Sequence, residues 1–123
     1  MKEFDIRTDG ETGSIANICD ALAKSAINIK ALSINGDVVR LVTEDHTSTS
    51  DILNKMNLEY SANDILMLRM IDRPGELSKI MKILSRYDIK TEAVYILDKD
   101  KERQETHVAM KVNDLAKAQG LLG

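Results

Sequence analysis

The sequence is poor in the residues that cross-link, stiffen or stack a small protein. Its 123 residues include one cysteine, one proline, one phenylalanine, three tyrosines and no tryptophan. A single cysteine excludes a disulfide or a thiol pair within one chain. The one cysteine, Cys19, falls on the apolar stripe of a predicted helix, so we expect it to pack as a small hydrophobic residue. Apart from these shortages, 43% hydrophobic and 30% charged residues are typical of an ordinary soluble globular protein.

Two further shortages argue against nucleic acid and membrane as partners. The net charge is −3 and the basic residues are scattered, whereas a surface that follows phosphates needs a basic stripe and stacking aromatics. No stretch approaches the 18 apolar residues that suggest a membrane span, and the segment Met1 to Asp5 has no apolar signal region. We therefore expect a cytoplasmic protein that binds neither nucleic acid nor membrane.

The residues that carry catalysis or bind metals are also few. His46 and His107 lie 61 positions apart, without the neighbouring ligands that a metal site needs. The acidic segment that begins at Asp98 has Arg103 where a calcium loop needs glycine and Ala109 where it needs a carboxylate. No nucleophile is paired with a base, and no glycine loop with a lysine is present to hold a phosphate. We expect no cofactor, no metal and no enzymatic activity; in particular, Asn17 and Asn28 are not arranged as acyl-phosphate hydrolysis would require.

The chain does contain an internal repeat. The segment Gly13 to Leu22 aligns without a gap on Gly75 to Leu84, 62 positions later. The same offset continues through the pairs Ile27/Ile89, Ala31/Ala93 and Ile34/Ile96. A repeat of this length indicates a duplicated structural unit. We therefore predict two domains, a first copy over residues 1–62 and a second copy over residues 63–123.

Both copies show the same order of predicted elements at their start. In the second copy an apolar run from Asp64 to Ile71 predicts a buried strand, which ends where proline and glycine follow. Apolar residues then recur at the spacing of an amphipathic helix. These helical residues are Leu77, Ile80, Met81 and Leu84 in the second copy and Ile15, Ile18, Cys19 and Leu22 in the first.

A strand, a turn, another strand and a second helix follow in both copies. The first copy has Asn35-Gly36 in its turn, a strong hairpin signal, and the second has a longer charged tip from Asp98 to Glu105. The second helix is predicted to begin near Ser50 or Asp51 in the first copy and near Asn113 in the second. The strands are predicted over 27–34, 38–43 and near 58–61 in the first copy, and over 89–97 and 106–112 in the second.

This order predicts an α+β fold. Right-handed connections turn strand, helix, strand, strand, helix, strand into a ferredoxin-like βαββαβ unit, an antiparallel sheet with both helices on one face. The chain is thus expected to hold two such units in tandem, the second without its last strand. The missing strand leaves an unpaired sheet edge, and such edges are usually covered. We therefore expect a homodimer.

The strand-to-helix loop of the second copy resembles the ACT domain family. That family has a strand, then Asp/Asn-x-Pro-Gly-x-Leu-x-x-Ile, then a helix, and the segment Ile71 to Ile80 follows the pattern. The first copy is similar to a diverged member, since Thr12 stands in place of the proline and Gly10 in place of Asp72. The resemblance covers almost the whole chain and is best to small stand-alone proteins made of two ACT domains in tandem.

The resemblance implies an allosteric regulatory module that binds a small effector, usually an amino acid, at interfaces between paired domains. The contacts would come from the loop between the first strand and the first helix. A helix N-terminus suits a carboxylate, and Asp9 or Asp72 would take an ammonium group, with Leu77 as the floor. The candidate ligand-binding residues are Asp72, Arg73, Pro74, Gly75, Glu76 and Leu77 in the second copy and Asp9, Gly10, Glu11, Thr12, Gly13 and Ser14 in the first.

Two alternatives stay open at this point. The glycine loops could bind a ligand, as the resemblance implies, or they could serve only as the tight strand-to-helix connections that such a fold needs. In that case the chain would act as a separate regulatory subunit, or interaction partner, of an amino-acid biosynthetic enzyme.

Overall fold

The computed structural model describes residues 1–122. The chain forms two compact units: the first unit comprises Met1–Asp64 and the second unit begins at Ile65. Each is an antiparallel sheet with two helices packed on one face, so the predicted α+β fold with two ferredoxin-like units is confirmed. No helix among the described residues is long and apolar enough to cross a membrane.

The first unit is a complete βαββαβ unit. Its four strands are ordered β2-β3-β1-β4, and all neighbouring strands are antiparallel. Its elements are β1 (Lys2–Arg7), α1 (Thr12–Lys24), β2 (Ile29–Asn35), β3 (Val38–Thr43), α2 (His46–Lys55) and β4 (Tyr60–Asp64).

Strand register explains the first core. Phe4 lies opposite Leu41 and Ile6 opposite Val39, so four apolar side chains project from one face of the sheet. Ile15, Ile18 and Leu22 of the predicted apolar stripe of α1 are buried on this face together with Leu53 of α2, and Cys19 is half-buried against them. Burying a side chain of this size contributes about 1.5–3 kcal/mol, which fixes α1 and the loop before it on the sheet.

The second unit repeats this plan with three strands. Their order is β5-β7-β6, and residues 65–122 contain no fourth strand, as predicted. The core consists of apolar residues from β5, β7 and both helices. The elements are β5 (Leu66–Ile71), α3 (Glu76–Arg86), β6 (Thr91–Asp100), β7 (Glu105–Val112) and α4 (Leu115–Leu122).

The predicted start of the second helix in the first copy, near Ser50 or Asp51, is wrong. Helix α2 begins at His46, because the side chain of Asp45 accepts a hydrogen bond from the Ser48 N–H at 3.0 Å and caps the helix. The extra turn is polar in sequence, yet Thr49 is fully buried. Its hydroxyl lies 2.8 Å from the Asp45 carbonyl oxygen and 2.9 Å from the Thr43 hydroxyl. The buried hydroxyl therefore has hydrogen-bond partners inside the protein.

The charged tip of the second hairpin is shorter than predicted. Strand β6 continues to Asp100 and β7 begins at Glu105, so residues 101–104 form the turn. A bulge between Ile96 and Asp98 shifts the register along the way. Asp98 therefore pairs with His107 inside the hairpin, and its carboxylate lies 2.6 Å from the His107 Nδ1.

Candidate functional site

The loop between β1 and α1 is tied to the turn between β2 and β3. Both the backbone N–H and the hydroxyl of Thr8 donate to the Asp37 carbonyl oxygen, at 2.7 Å and 3.1 Å. Gly10 has φ +78°, and a Cβ there would lie 3.4 Å from the Gly36 carbonyl oxygen. This close approach in a left-handed conformation explains why glycine occupies position 10. The loop is therefore a fixed support for the start of α1.

Asp9 holds this first loop together through its carboxylate. Its Oδ1 accepts the Glu11 N–H at 2.9 Å, and its Oδ2 accepts the Ser14 hydroxyl at 2.8 Å. These two bonds, the Glu11 N–H first, lower the pKa of the Asp9 carboxyl below its ordinary value. Both donors are neutral, so the negative charge of Asp9 is retained at the start of α1.

The carboxylates in and next to the second loop, between β5 and α3, face cations instead. The Glu76 carboxylate lies 2.6 Å from Arg73 Nε and 3.2 Å from Lys79 Nζ, and these bonds lower its pKa, that from Arg73 most strongly. The Asp72 carboxylate lies 3.5 Å from the Lys99 ammonium, while its backbone N–H donates to the Gln104 carbonyl at 2.7 Å. The carboxylates at the second loop are thus compensated by cations from the loop, α3 and β6.

The glycines that align in the repeat have different conformations. Gly75 is the N-cap of α3 with φ 91°, and α3 has no side-chain cap. Gly13 lies inside the first turn of α1, which begins at Thr12. The left-handed glycine of the first loop is Gly10, three residues earlier. The aligned glycines therefore share a place in the sequence but not a structural role.

The structure brings the predicted site residues into two separate groups, one in each unit. Leu77 is half-buried and packs against the second core, so part of its surface is used by the fold. Asp72, Arg73, Pro74 and Gly75 form the exposed second loop, and Glu76 and Leu77 are in the first turn of α3; Asp9, Gly10 and Glu11 form the exposed first loop, and Thr12, Gly13 and Ser14 are in the first turn of α1.

A cavity of about 370 Å³ borders the first loop. It combines a carboxylate, hydroxyl and amide groups and an apolar wall formed by Ile18, Met56 and Leu58. Arg7 borders it at the end of β1, but because Ile6 faces the core, the Arg7 side chain projects from the opposite face of the sheet. Such a mixture of charge and apolar surface is characteristic of small-molecule sites. The lining residues are Arg7, Thr8, Asp9, Ser14, Asn17, Ile18, Met56 and Leu58.

Of the predicted site residues, Asp9 and Ser14 line this cavity, and the other lining residues were not predicted. Asn17 follows Ser14 by three residues and so lies on the same face of α1, a helical spacing that was available in the sequence. Met56 and Leu58 come from the connection between α2 and β4, far along the chain. Only the folded unit brings them beside α1.

Two ferredoxin-like units in tandem give the chain an ACT-like fold. No protein-family model and no curated protein matches the chain. Solved structures do match, at sequence identities that show the fold alone.

One similar structure is protein BT0572 from Bacteroides thetaiotaomicron, with a TM-score of 0.84 and 21% identity over 98% of this chain and 84% of that one. The regulatory subunit of aspartate kinase from Thermus thermophilus, in its ligand-free form, has a TM-score of 0.70 and 12% identity over 98% of this chain and 86% of that one. A putative C-terminal regulatory domain of aspartate kinase from Porphyromonas gingivalis has a TM-score of 0.61 and 11% identity over 98% and 88%.

Proposed function

We propose that this protein is a regulatory ACT domain protein, without catalytic activity of its own, that binds a small effector of the amino-acid class near its strand-to-helix loops. The cavity beside the first loop is the observation that carries the proposal, since Asp9, the polar groups of Ser14 and Asn17 and an apolar wall line one space. Two of the similar structures are regulatory parts of aspartate kinases, which supports a regulatory role for this fold.

The chemistry around the cavity fits a free amino acid. The N-terminus of α1, next to the cavity, suits a carboxylate. Asp9 stays ionised because the Glu11 N–H and the Ser14 hydroxyl lower its pKa, and each of its oxygens has a further lone pair for an ammonium group. The ammonium group of a free amino acid thus finds an opposite charge beside a space with an apolar side.

A second candidate is a subunit role. The similar Thermus thermophilus structure is the regulatory subunit of an aspartate kinase. By analogy, this chain would bind a separate amino-acid biosynthetic enzyme and change its activity, with the glycine loops serving the fold only. Stable co-purification with a larger enzyme, without binding of any free amino acid, would favour this candidate over the first.

We further expect a homodimer in which sheet edges meet. Strand β2 lies at one edge of the first sheet and β6 at one edge of the second. Both edges expose aliphatic side chains at repeat-related positions: Ile34 is 53% exposed and Ile96 58% exposed. Unpaired backbone groups beside exposed aliphatic residues make such strands suitable for pairing with another chain.

Thermal melting of the purified chain against each of the twenty L-amino acids tests the effector proposal. A ligand at 100 times its dissociation constant stabilises the native state by roughly 2.7 kcal/mol, which raises the melting temperature by several degrees. We expect a selective rise with one amino acid or a chemically related few. An unchanged melting temperature across the panel, at concentrations up to tens of millimolar, would overturn the proposal.

A further inference from the structure

Strand β5 has one edge without a strand beside it. The second sheet has the order β5-β7-β6, so β7 pairs with one side of β5 and, within residues 65–122, no strand pairs with the other. The Asp72 N–H points toward β7, where it donates to the Gln104 carbonyl. Because backbone groups alternate in direction along an antiparallel strand, the N–H groups of Met67 and Arg69 point to the open edge. An added strand can accept hydrogen bonds from them.

The first unit shows which kind of segment fits such an edge. At the repeat offset of 62 residues β5 corresponds to β1, and the matching edge of β1 is paired with β4 in antiparallel register. Tyr60 of β4 lies opposite Ile6 and packs against the first core, with its ring centroid 6.1 Å from that of Phe4. One residue earlier, the Glu59 carbonyl accepts the Arg7 N–H at 2.9 Å. An acidic residue followed by an aromatic one thus completes this edge in the first unit.

The side chains along the open edge of β5 favour the same two residue types. Arg69 takes the place of Arg7 in the repeat and is exposed, and in the part of the chain that the structure describes its guanidinium has no ion pair or hydrogen bond. Leu68 takes the place of the fully buried Ile6 but is only half-buried against the second core. An acidic residue would compensate the charge of Arg69, and an aromatic ring would cover Leu68. Neighbouring residues of a strand point to opposite faces, so one added strand can supply both.

We propose that the open edge of β5 binds an extended peptide segment of a partner protein by antiparallel strand addition, with an acidic residue opposite Arg69 and an aromatic residue opposite Leu68. In complexes of this kind, backbone hydrogen bonds give affinity and alternate side chains give specificity. The edge belongs to the second unit, whereas the cavity beside the first loop belongs to the first. The inference therefore holds or fails independently of the proposed effector.

An NMR titration of the labelled full chain with a peptide probe tests this binding. The probe is acetylated and amidated and has the sequence of residues 57–64, which contain the acidic and the aromatic residue of β4 in the required order. We expect saturable amide shifts in residues 66–71 at millimolar peptide. A peptide of the same composition, scrambled so that glutamate and tyrosine are not adjacent, should bind about 3- to 10-fold more weakly because it loses the cross-strand contacts.

Two variants of Met67 test whether the probe lies on the edge. Met67→Pro removes an N–H that points to the open edge and leaves the bonds to β7 intact, so it should weaken the probe at least about 10-fold. Met67→Val keeps the N–H and suits a strand, so the affinity should stay within about 2-fold of that of the unmodified protein. Circular dichroism confirms that both variants are folded.

A charge exchange tests the acidic residue without altering the backbone. Arg69→Glu, at an exposed position, should weaken the probe about 3- to 10-fold. A probe that carries Glu59→Lys should bind the Arg69→Glu variant better than it binds the unmodified protein. This rescue would not occur if Arg69→Glu only disturbed the fold.

Three results would overturn the inference. The first is a probe that shifts no residue, or only residues of β1 and β4. The second is equal affinity for Met67→Pro and Met67→Val, or no rescue by the exchanged charges. The third comes from sedimentation velocity: if Met67→Pro converts a dimer to a monomer, a second copy of the chain occupies the edge instead of a partner peptide.

Discussion

Asp9 is the residue on which the structure of the first loop depends most directly. Its pKa is lowered in the folded protein by the Glu11 N–H and then by the Ser14 hydroxyl. A lowered folded-state pKa stabilises the protein above the unfolded pKa of about 4, and this contribution disappears as the pH falls through the lower folded value. Asp9→Asn should therefore reduce the midpoint of urea unfolding at pH 7 and lose that effect in strong acid.

Asp51→Asn is a suitable control for this prediction, since Asp51 is exposed on α2. Its unfolding midpoint should stay close to that of the unmodified protein at both pH values. If Asp9→Asn were as stable as the unmodified protein at pH 7, or equally destabilised at pH 7 and in strong acid, the role given to the ionised carboxylate would be incorrect.

Gly13 and Gly75, which align in the repeat, should differ in the stability cost of an alanine substitution. Gly75 has φ +91°, and a Cβ there would meet no atom within 4 Å, so only backbone conformation opposes a side chain. Gly75→Ala should cost about 1–2 kcal/mol of unfolding free energy, because a left-handed conformation is unfavourable for alanine. Gly13→Ala should cost nothing, because Gly13 is helical and has open space. Urea unfolding of both variants checks the contrast, and equal losses would refute it.

A buried polar contact joins helix α2 to strand β3. The hydroxyls of Thr49 on α2 and Thr43 on β3 lie 2.9 Å apart and are fully buried. Thr49→Val keeps the shape but leaves the Thr43 hydroxyl without this partner, which should cost about 1–3 kcal/mol. Thr47→Val, exposed on the same helix, is the control. Similar unfolding free energies for the two variants would contradict the contact.

The same helix shows why some elements could be predicted from the sequence and others could not. Helices α1 and α3 have apolar residues at helical spacing, and their location was predicted correctly. The first turn of α2 has no apolar residue, and its stability comes from the Asp45 cap and the buried Thr49 hydroxyl. A pattern of apolar residues does not report either contact. The predicted start was therefore about one turn too late.

Part of the candidate site could likewise be predicted from the sequence, and part could not. The two loops could be located because Pro74 and Gly75 mark the end of a strand in the second copy and the repeat transfers this position to the first. The apolar wall could not, because Met56 and Leu58 reach α1 only through the fold of the first unit. The repeat also concealed a difference, since Gly13 and Gly75 align but Gly10 has the left-handed conformation in the first loop.

At the level of the whole molecule, the exposed sheet edges predict self-association. The double variant Ile34→Lys, Ile96→Lys places charges on β2 and β6, which disfavours pairing of edge strands. Sedimentation velocity should show a dimer for the unmodified protein and a monomer for this variant. Ala116→Lys, an exposed position on α4, should remain a dimer. A monomeric unmodified protein, or a dimeric double variant, would contradict edge pairing.

The central claim is that the chain binds an amino acid as its effector, and amide NMR spectroscopy of the uniformly labelled 13.7 kDa protein tests it most directly. Spectra are recorded with each of the twenty L-amino acids in excess. The account predicts saturable shifts for at least one amino acid, concentrated in residues 8–18 and 56–58. Spectra that stay unchanged with all twenty amino acids would contradict the claim.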